Sequence, residues 1–359
     1  MPRRTVTMLC STLTLIALLC TGLLMPVPYS ELAPGPTVNT LGKHDGDPVL
    51  QIDGHRTYPT SGHLNMTTVQ VTGADYRMNL VEAMAGWIAH DGAVVPHDTL
   101  YPDDKSAEEV DQENAEEFTA SQESAKVAAL EALDIPVGTR VIVSSVVKGG
   151  AAEGELHAGD VILAVDGEKV REPADVVERV TRHSPGEKAV FTVVPASRAK
   201  GKGTDPAGKE VSVTTRRSPD DGRAVVGIQA GTEHTFPFDI EIELADVGGP
   251  SAGLMFALGL IDKLDAPPLT GGRFVAGTGT IDDDGTVGPI GGITMKTIAA
   301  REAGAEYFLT PADNCAAAAA DTPEGLTLVE VEDLDGALDA LALIREGKKD
   351  RLPTCRAAG

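Results

Sequence analysis

Gly248-Gly249-Pro250-Ser251-Ala252-Gly253, followed by Leu254, Met255, Ala257, Leu258, Leu260 and Ile261, is the stretch on which the reading of the C-terminal part of this chain turns. Two glycines and a proline end an extended segment, and the apolar run after them reads as a buried helix, so Ser251 stands at a helix N-terminus. Unpaired backbone N–H groups and the positive end of the helix dipole gather there. Such a place stabilises an oxyanion or an alkoxide-like nucleophile. It equally suits plain helix capping, for which serine is a favoured residue. Taken alone, the segment leaves both readings open.

A serine nucleophile needs a base, and histidine is the usual one. Gly249 to Gly253 fits the G-x-S-x-G pattern of a nucleophile elbow, whose acid and histidine follow the serine in the chain. That order is impossible here, because the last of the eight histidines, His234, precedes Ser251. The remaining candidate is Lys296, in Gly285-Thr286-Val287-Gly288-Pro289-Ile290-Gly291-Gly292-Ile293-Thr294-Met295-Lys296. It falls among apolar residues in the opening turn of a helix, where burial and the dipole both disfavour a cation and push an amine towards neutrality. A neutral amine is what general-base work requires. The competing reading is a surface lysine whose stem runs past apolar neighbours.

Working outward, residues 224 to 346 alternate strands and helices: strands at 224–228, 238–244, 274–281, 307–309 and 326–331, and helices at 251–264, 292–303 and up to 344. This is an α+β domain with its chemistry at two helix starts. Residues 135–217 form a strand-rich unit: strands at 141–147, 161–165, 189–194 and 210–215, a small-residue helix at 151–156, the Asp166-Gly167 turn and a helix at 173–183. Residues 29–134 read as strands followed by one long helix over 103–134, acidic in its first half and rich in Ala, Leu and Val in its second. Residues 347–359 are a C-terminal tail.

At the N-terminus, Arg3 and Arg4 precede an almost uncharged run from Thr5 to Met25, about 32 Å long as a helix and enough to span a bilayer. Residues 1–28 are therefore expected to be a cytoplasmic tip and a transmembrane anchor in the cell membrane, with the bulk of the chain extracytoplasmic. The alternative is a cleaved signal peptide, although no small-x-small site follows Met25. Cys20 is preceded by Leu18 and Leu19, unlike a lipidated cysteine. Cys315 and Cys355 lie where disulfides persist; the sequence allows a pair or two free thiols.

Acidic residues outnumber basic ones 54 to 30, a net charge of −24 that disfavours nucleic acid as a partner. No Cys/His pattern suits a metal, and no cofactor is expected. Gly203 to Lys209 imitates the start of a Walker A loop, but Glu210 stands where a magnesium-binding hydroxyl is needed and a strand follows, so ATP is not expected to bind. Ser145 and Lys148 imitate S-x-x-K on a strand, where a helix is required.

Val146 to Ala152, Gly159-Asp160-Val161-Ile162 and Val165-Asp166-Gly167 resemble a bacterial PDZ domain. That resemblance implies peptide or C-terminus capture by strand addition. The expected edge is residues 141–145, with Val137, Gly138, Thr139, Arg140 and Val141 at the carboxylate end. Gly-Pro-Ser-Ala-Gly at 249–253, with Val287, Ile290, Gly291, Gly292 and Lys296, resembles the proteolytic domain of Lon-type serine peptidases. With the anchor, the whole is similar to the bacterial PDZ-containing Lon-like proteases. The resemblance implies Ser251 and Lys296 as a catalytic dyad, Thr278 as a partner of the lysine amine, Gly249 and Ala252 as supporting residues, polypeptide substrates and a homo-oligomer. Lon itself has an acidic residue where this chain has Gly248; Asp246 lies two residues earlier. A catalytically silent PDZ scaffold at the membrane is the alternative.

Overall fold

Hydroxyl groups in a mostly apolar segment would be costly in lipid if they were unpaired, and four of the five threonines here find a partner within their own helix. Thr7, Thr12, Thr14 and Thr21 each donate to the carbonyl four residues back, within helix α1, Arg3–Leu24. Its apolar stretch, Arg3–Leu23, is 0 % buried and is long and apolar enough to cross a membrane, a test that a signal sequence also passes.

The computed structural model describes residues 3–89, 92–102, 104–199, 208–245 and 247–356. The imitation Walker stretch lies mostly outside these residues, as does Asp246. The chain divides into two units, Met1–Ile135 with Phe238–Gly359, and Pro136–Pro237.

After α1, the first unit continues through strands β1 (Tyr29–Asn39) and β2 (His63–Val71), helix α2 (Leu80–Ile88), strand β3 (Ala93–Pro96) and helix α3 (Ala107–Ala132). The second unit contributes β4 (Gly138–Val146), β5 (Val161–Val165), α4 (Pro173–Thr181), β6 (Lys188–Val194), β7 (Lys209–Thr214) and β8 (Ile228–Thr235). The first unit then resumes with α5 (Gly253–Leu264), β9 (Phe274–Gly277), α6 (Ile293–Glu302), β10 (Tyr307–Pro311), α7 (Cys315–Ala320), β11 (Thr327–Val331) and α8 (Leu334–Arg345). The mixed α+β class read from the sequence is the class observed.

The first unit is built on a six-stranded sheet in the order β11-β10-β9-β2-β1-β3. Its β9, β10 and β11 run parallel through helical crossovers, β9 also runs parallel to β2, and β1 pairs antiparallel with β2 and β3. Helix α5 is buried along almost its whole length, which is why its sequence shows no polar face. Part of its cover is α3, started by a capping box in which Ser106 and Glu109 satisfy each other's backbone N–H. Phe118 of α3 meets Phe256 of α5 edge-on, with ring centroids 5.9 Å apart. The acidic first half of α3 faces water, while Phe118, Ser121, Ala125 and Ala128 face the core.

In the second unit a five-strand path runs β7-β6-β5-β4-β8. Three sequence expectations differ here. Residues 151–156 form turns rather than a helix, because Gly149 and Gly154 at positive φ break the chain on both sides of Ala152. Residues from 224 onwards, assigned by sequence to the C-terminal domain, belong to this unit: β8 pairs antiparallel with β4 over Ile228↔Val146 to Thr235↔Gly138. The unit therefore runs to Pro237, past the boundary expected at 217. Third, β4 was expected to be a free edge, and it is an inner strand between β8 and β5.

The C-terminal tail is fixed to the sheet. Glu330 N donates to Pro353 O at 2.8 Å and Cys355 N to Leu328 O at 3.4 Å, so the tail covers the outer edge of β11. Cys315, at the start of α7, is disulfide-bonded to Cys355 across 40 residues of sequence. A crosslink closing such a loop stabilises by roughly 4 kcal/mol in the chain-entropy model. The double variant Cys315→Ser with Cys355→Ser should therefore unfold at lower denaturant, by about 2–4 kcal/mol, with a somewhat steeper slope because its unfolded chain is more open; an unchanged midpoint contradicts the role given to the tail.

Candidate active site

Three short irregular segments of the first unit converge at the site. The first is 248–252. Helix α5 begins only at Gly253, with Ala252 as its N-cap, so Ser251 lies one residue outside the cap and makes no capping hydrogen bond. This removes the capping reading. The loop is held from behind by α3: Gly249 N donates to Asn114 O at 2.9 Å, and Ser121 Oγ donates to Pro250 O at 2.9 Å. The Gly249 amide is thereby engaged and is not available to an oxyanion. Among the described residues the N–H groups of Ser251 and Ala252 donate to no partner. A Cβ on Gly248 would sit 3.0 Å from Asn114 Cβ, which is why α3 can pass so close to a glycine there. Gly253 is tighter still: a Cβ would meet Ile281 Cγ2 and Ser121 Oγ, both at 2.8 Å.

The second segment is Thr278-Gly279. The sequence suggested one strand over 274–281, but β9 stops at Gly277 and the chain turns. That break carries Thr278 off the end of the parallel strands, fully buried. Its Oγ1 donates to Ser251 O at 2.9 Å, and Gly279 N donates to the same oxygen at 2.9 Å. The main chain of Ser251 is thus pinned by two donors.

The third is the start of α6, opened by Gly292 in the left-handed region at φ 68°. A Cβ on Gly292 would also strike Val69 Cγ2 at 2.7 Å. Four residues on, Lys296 is 3 % exposed, between Met295 and Thr297 in a helix buried on most sides. This is no snorkelling surface lysine. Its Nζ lies 2.7 Å from Ser251 Oγ and 2.9 Å from Thr278 Oγ1. Burial alone drives its pKa down from 10.5 to about 8.

The arrangement also fixes which way the amine points. The Thr278 hydroxyl hydrogen goes to Ser251 O, so Thr278 Oγ1 must accept from Nζ. A neutral amine holding one N–H towards Thr278 turns its lone pair towards Ser251 Oγ–H. Such a geometry suits proton transfer between the two groups.

Other candidates are not assembled this way. Ser30 Oγ lies 2.8 Å from His97 Nδ1, but Arg77 Nη1 lies 2.8 Å from His97 Nε2, and guanidinium only donates. Neutral His97 then donates through Nδ1 and takes no proton from Ser30, which is itself fully buried. Ser145 is on β4 and donates to Gln229 Oε1 at 2.8 Å. Among the described residues no cluster of His, Cys, Asp or Glu is arranged to hold a metal.

The peptide-binding residues expected in the second unit are displaced by β8. Gly138, Thr139, Arg140 and Val141 pair with Thr235, His234, Glu233 and Thr232, and Val137 directly precedes that ladder. Arg140 Nε is bonded to Glu233 Oε2 at 2.5 Å and its Nη1 to Ala199 O at 3.0 Å, so its guanidinium is engaged by neighbours. The outer strand on this side is β8, and α4 packs against it. The Val226-Gly227-Ile228 turn before β8, with Gly227 at φ 77°, is the signal that the sequence reading passed over.

Comparison with known proteins agrees with both domains. Residues 244–344 match the Lon protease (S16) C-terminal proteolytic domain, and residues 110–201 match the PDZ domain. The Lon protease of Koribacter versatilis is 30 % identical over 182 residues, covering 46 % of this chain and 22 % of that protein. Lon protease 1 of Sorangium cellulosum is 38 % identical over 116 residues, covering 31 % and 14 %. A probable periplasmic serine endoprotease DegP-like of Brucella suis is 40 % identical over 73 residues, covering 20 % and 12 %. The chain spans about a fifth of the length of the Koribacter relative. Among solved structures, the PDZ domain of an SdrC-like protein from Listeria innocua is 22 % identical, covers 25 % of this chain and 90 % of its own, and has a TM-score of 0.21. The chain carries a PDZ domain and a Lon-type proteolytic domain.

The amine's displaced titration is directly measurable. In a 13Cε-lysine NMR titration the Lys296 resonance should have a midpoint near 8, well below the ~10.4 of free lysine, and a midpoint near 10 contradicts the buried pair.

Proposed function

We propose that the chain is a membrane-anchored, ATP-independent serine endopeptidase that uses Ser251 and Lys296 to hydrolyse extracytoplasmic polypeptides. The single observation that carries this is a buried amine 2.7 Å from a serine hydroxyl that does not cap its helix. Neutral Lys296 takes the Ser251 proton as Oγ attacks a peptide carbonyl, giving a tetrahedral oxyanion. The Ser251 and Ala252 N–H groups face that charge. The protonated lysine then passes its proton to the leaving amine as the C–N bond breaks, and the acyl-serine is hydrolysed by water with Lys296 again as base.

Thr278 acts as a positioning residue, turning the lone pair towards Ser251. No nucleotide enters the scheme: after the Walker-like stretch the chain continues as β7 rather than as a phosphate-cradling helix. The anchor is α1, with Arg3 and Arg4 on the cytoplasmic side. The PDZ domain takes an extended peptide or C-terminus at the outer edge of β8, between β8 and α4, rather than at residues 137–141.

Cleavage of an unfolded polypeptide by the full chain in membranes tests the dyad. Ser251→Ala and Lys296→Met should each lower kcat by about 10³-fold or more, and the double variant should be no worse than either single one. Thr278→Val should lower kcat by about 10- to 100-fold with little change in KM, and Thr278→Ser should restore most of it. Undiminished cleavage in Ser251→Ala or Lys296→Met sinks the dyad, and absence of cleavage by the unaltered chain favours the silent scaffold.

A further inference from the structure

Helix α2 has its apolar stripe on the wrong side for a protein surface in water. Val81, Met84, Ala85 and Ile88 recur at i, i+3, i+4 and i+7 and so share one face. That face looks outward: Val81 is 47 %, Met84 50 % and Ile88 73 % exposed, with Trp87 beside them at 53 %. Ala83 and Gly86 are the residues turned inward. The helix has one charged residue, Glu82, and its carboxylate is turned back to the helix start. There it accepts from Asn79 N at 2.9 Å and Tyr76 Oη at 3.1 Å. No charged side chain therefore interrupts the stripe, although clustered apolar exposure of this kind in a soluble protein is normally a contact surface.

What covers it follows from what α2 is joined to. Leu80 N donates to Met25 O at 3.2 Å, Val27 N donates to Met78 O at 2.9 Å, and Pro26 bridges Asn79. The first residue of α2 is thus fastened to the residue that leaves α1. With α1 about 33 Å long against a hydrocarbon layer of roughly 30 Å, Met25 lies where acyl chains meet headgroups. Helix α2 is about 13 Å long and starts from that point. Trp87 stacks edge-on against Tyr29 at 5.2 Å, a pairing of the two residue types enriched at the membrane interface.

We propose that α2 lies in the bilayer interface, with Val81, Met84, Trp87 and Ile88 among the upper acyl chains of the leaflet from which α1 emerges. The inference rests on α1 spanning the membrane. Nine residues alone would bind lipid weakly, but fastening to α1 holds them at high effective concentration. Because the stripe is uncharged and the chain carries −24, the contact is apolar and needs no anionic lipid. Its consequence is orientation: a single span leaves the first unit free to tilt and swivel, and a second contact beside it does not.

The chain has one tryptophan, so Trp87 reports on this face without any substitution. Full-length protein would be reconstituted in phosphatidylcholine vesicles, checked by flotation, and compared with vesicles whose lipids carry bromine near the headgroup end or near the methyl end of the acyl chains. The expected result is short-wavelength emission, quenched about twofold by bromine near the headgroup end, less by the deeper label, and unaffected by added salt. Floating protein with long-wavelength, unquenched emission would place α2 in water and overturn the proposal while leaving the anchor standing. Floating protein with short-wavelength but unquenched emission would show that protein, such as a second copy, covers the face, and overturns it as well. Protein that does not float removes the anchor and the proposal together.

Discussion

An ammonium group denied water is the constraint around which the candidate site of the first unit is arranged. Lys296 is 3 % exposed, and among the described residues its amine has two partners, both hydroxyls. Among the described residues no carboxylate offsets the charge there, and desolvation brings its pKa from 10.5 to about 8. A shift of that size is worth about 3 kcal/mol. The sign matters: the unfolded chain holds the proton up to about pH 10.4 and the folded chain only up to about 8. This group's contribution to stability therefore rises with pH across that window, and below it the native state bears the full cost. Under the proposed function, that cost is what leaves the amine readily deprotonated.

The surroundings hold that amine against a serine with little freedom. Thr278 and Gly279 both donate to Ser251 O, while α3 grips the loop from the other side through Asn114 O and Ser121 Oγ. Small residues permit this crowding. Gly253 leaves room for Ile281 and Ser121, and Gly292 supplies both the left-handed start of α6 and close passage of Val69. Two helix starts and one broken strand thereby meet on rigid elements, as a near-attack geometry requires.

Much of this was legible in the chain. The apolar run after Ser251, the apolar setting of Lys296 and the absence of any downstream histidine come from residue order and periodicity, which local physics fixes. Thr278 was named only through resemblance, since nothing in Gly277-Thr278-Gly279 distinguishes a strand break from a strand. The grip of α3 was hidden because its acidic half reads as solvation, and backbone carbonyls such as Asn114 O have no sequence signature. The engagement of the Gly249 amide was missed for the same reason. In the second unit the error was topological: only the long-range pairing of β4 with β8 decides which strand is inner and which is outer.

The central claim is that Lys296, as a neutral amine, makes Ser251 nucleophilic. The most direct measurement is the rate at which a fluorophosphonate labels Ser251 in the full chain as pH is varied. The account predicts labelling that climbs tenfold per pH unit below a midpoint near 8 and then levels, and that is lost in Lys296→Met. A rate that is flat with pH, or that survives Lys296→Met, would contradict it.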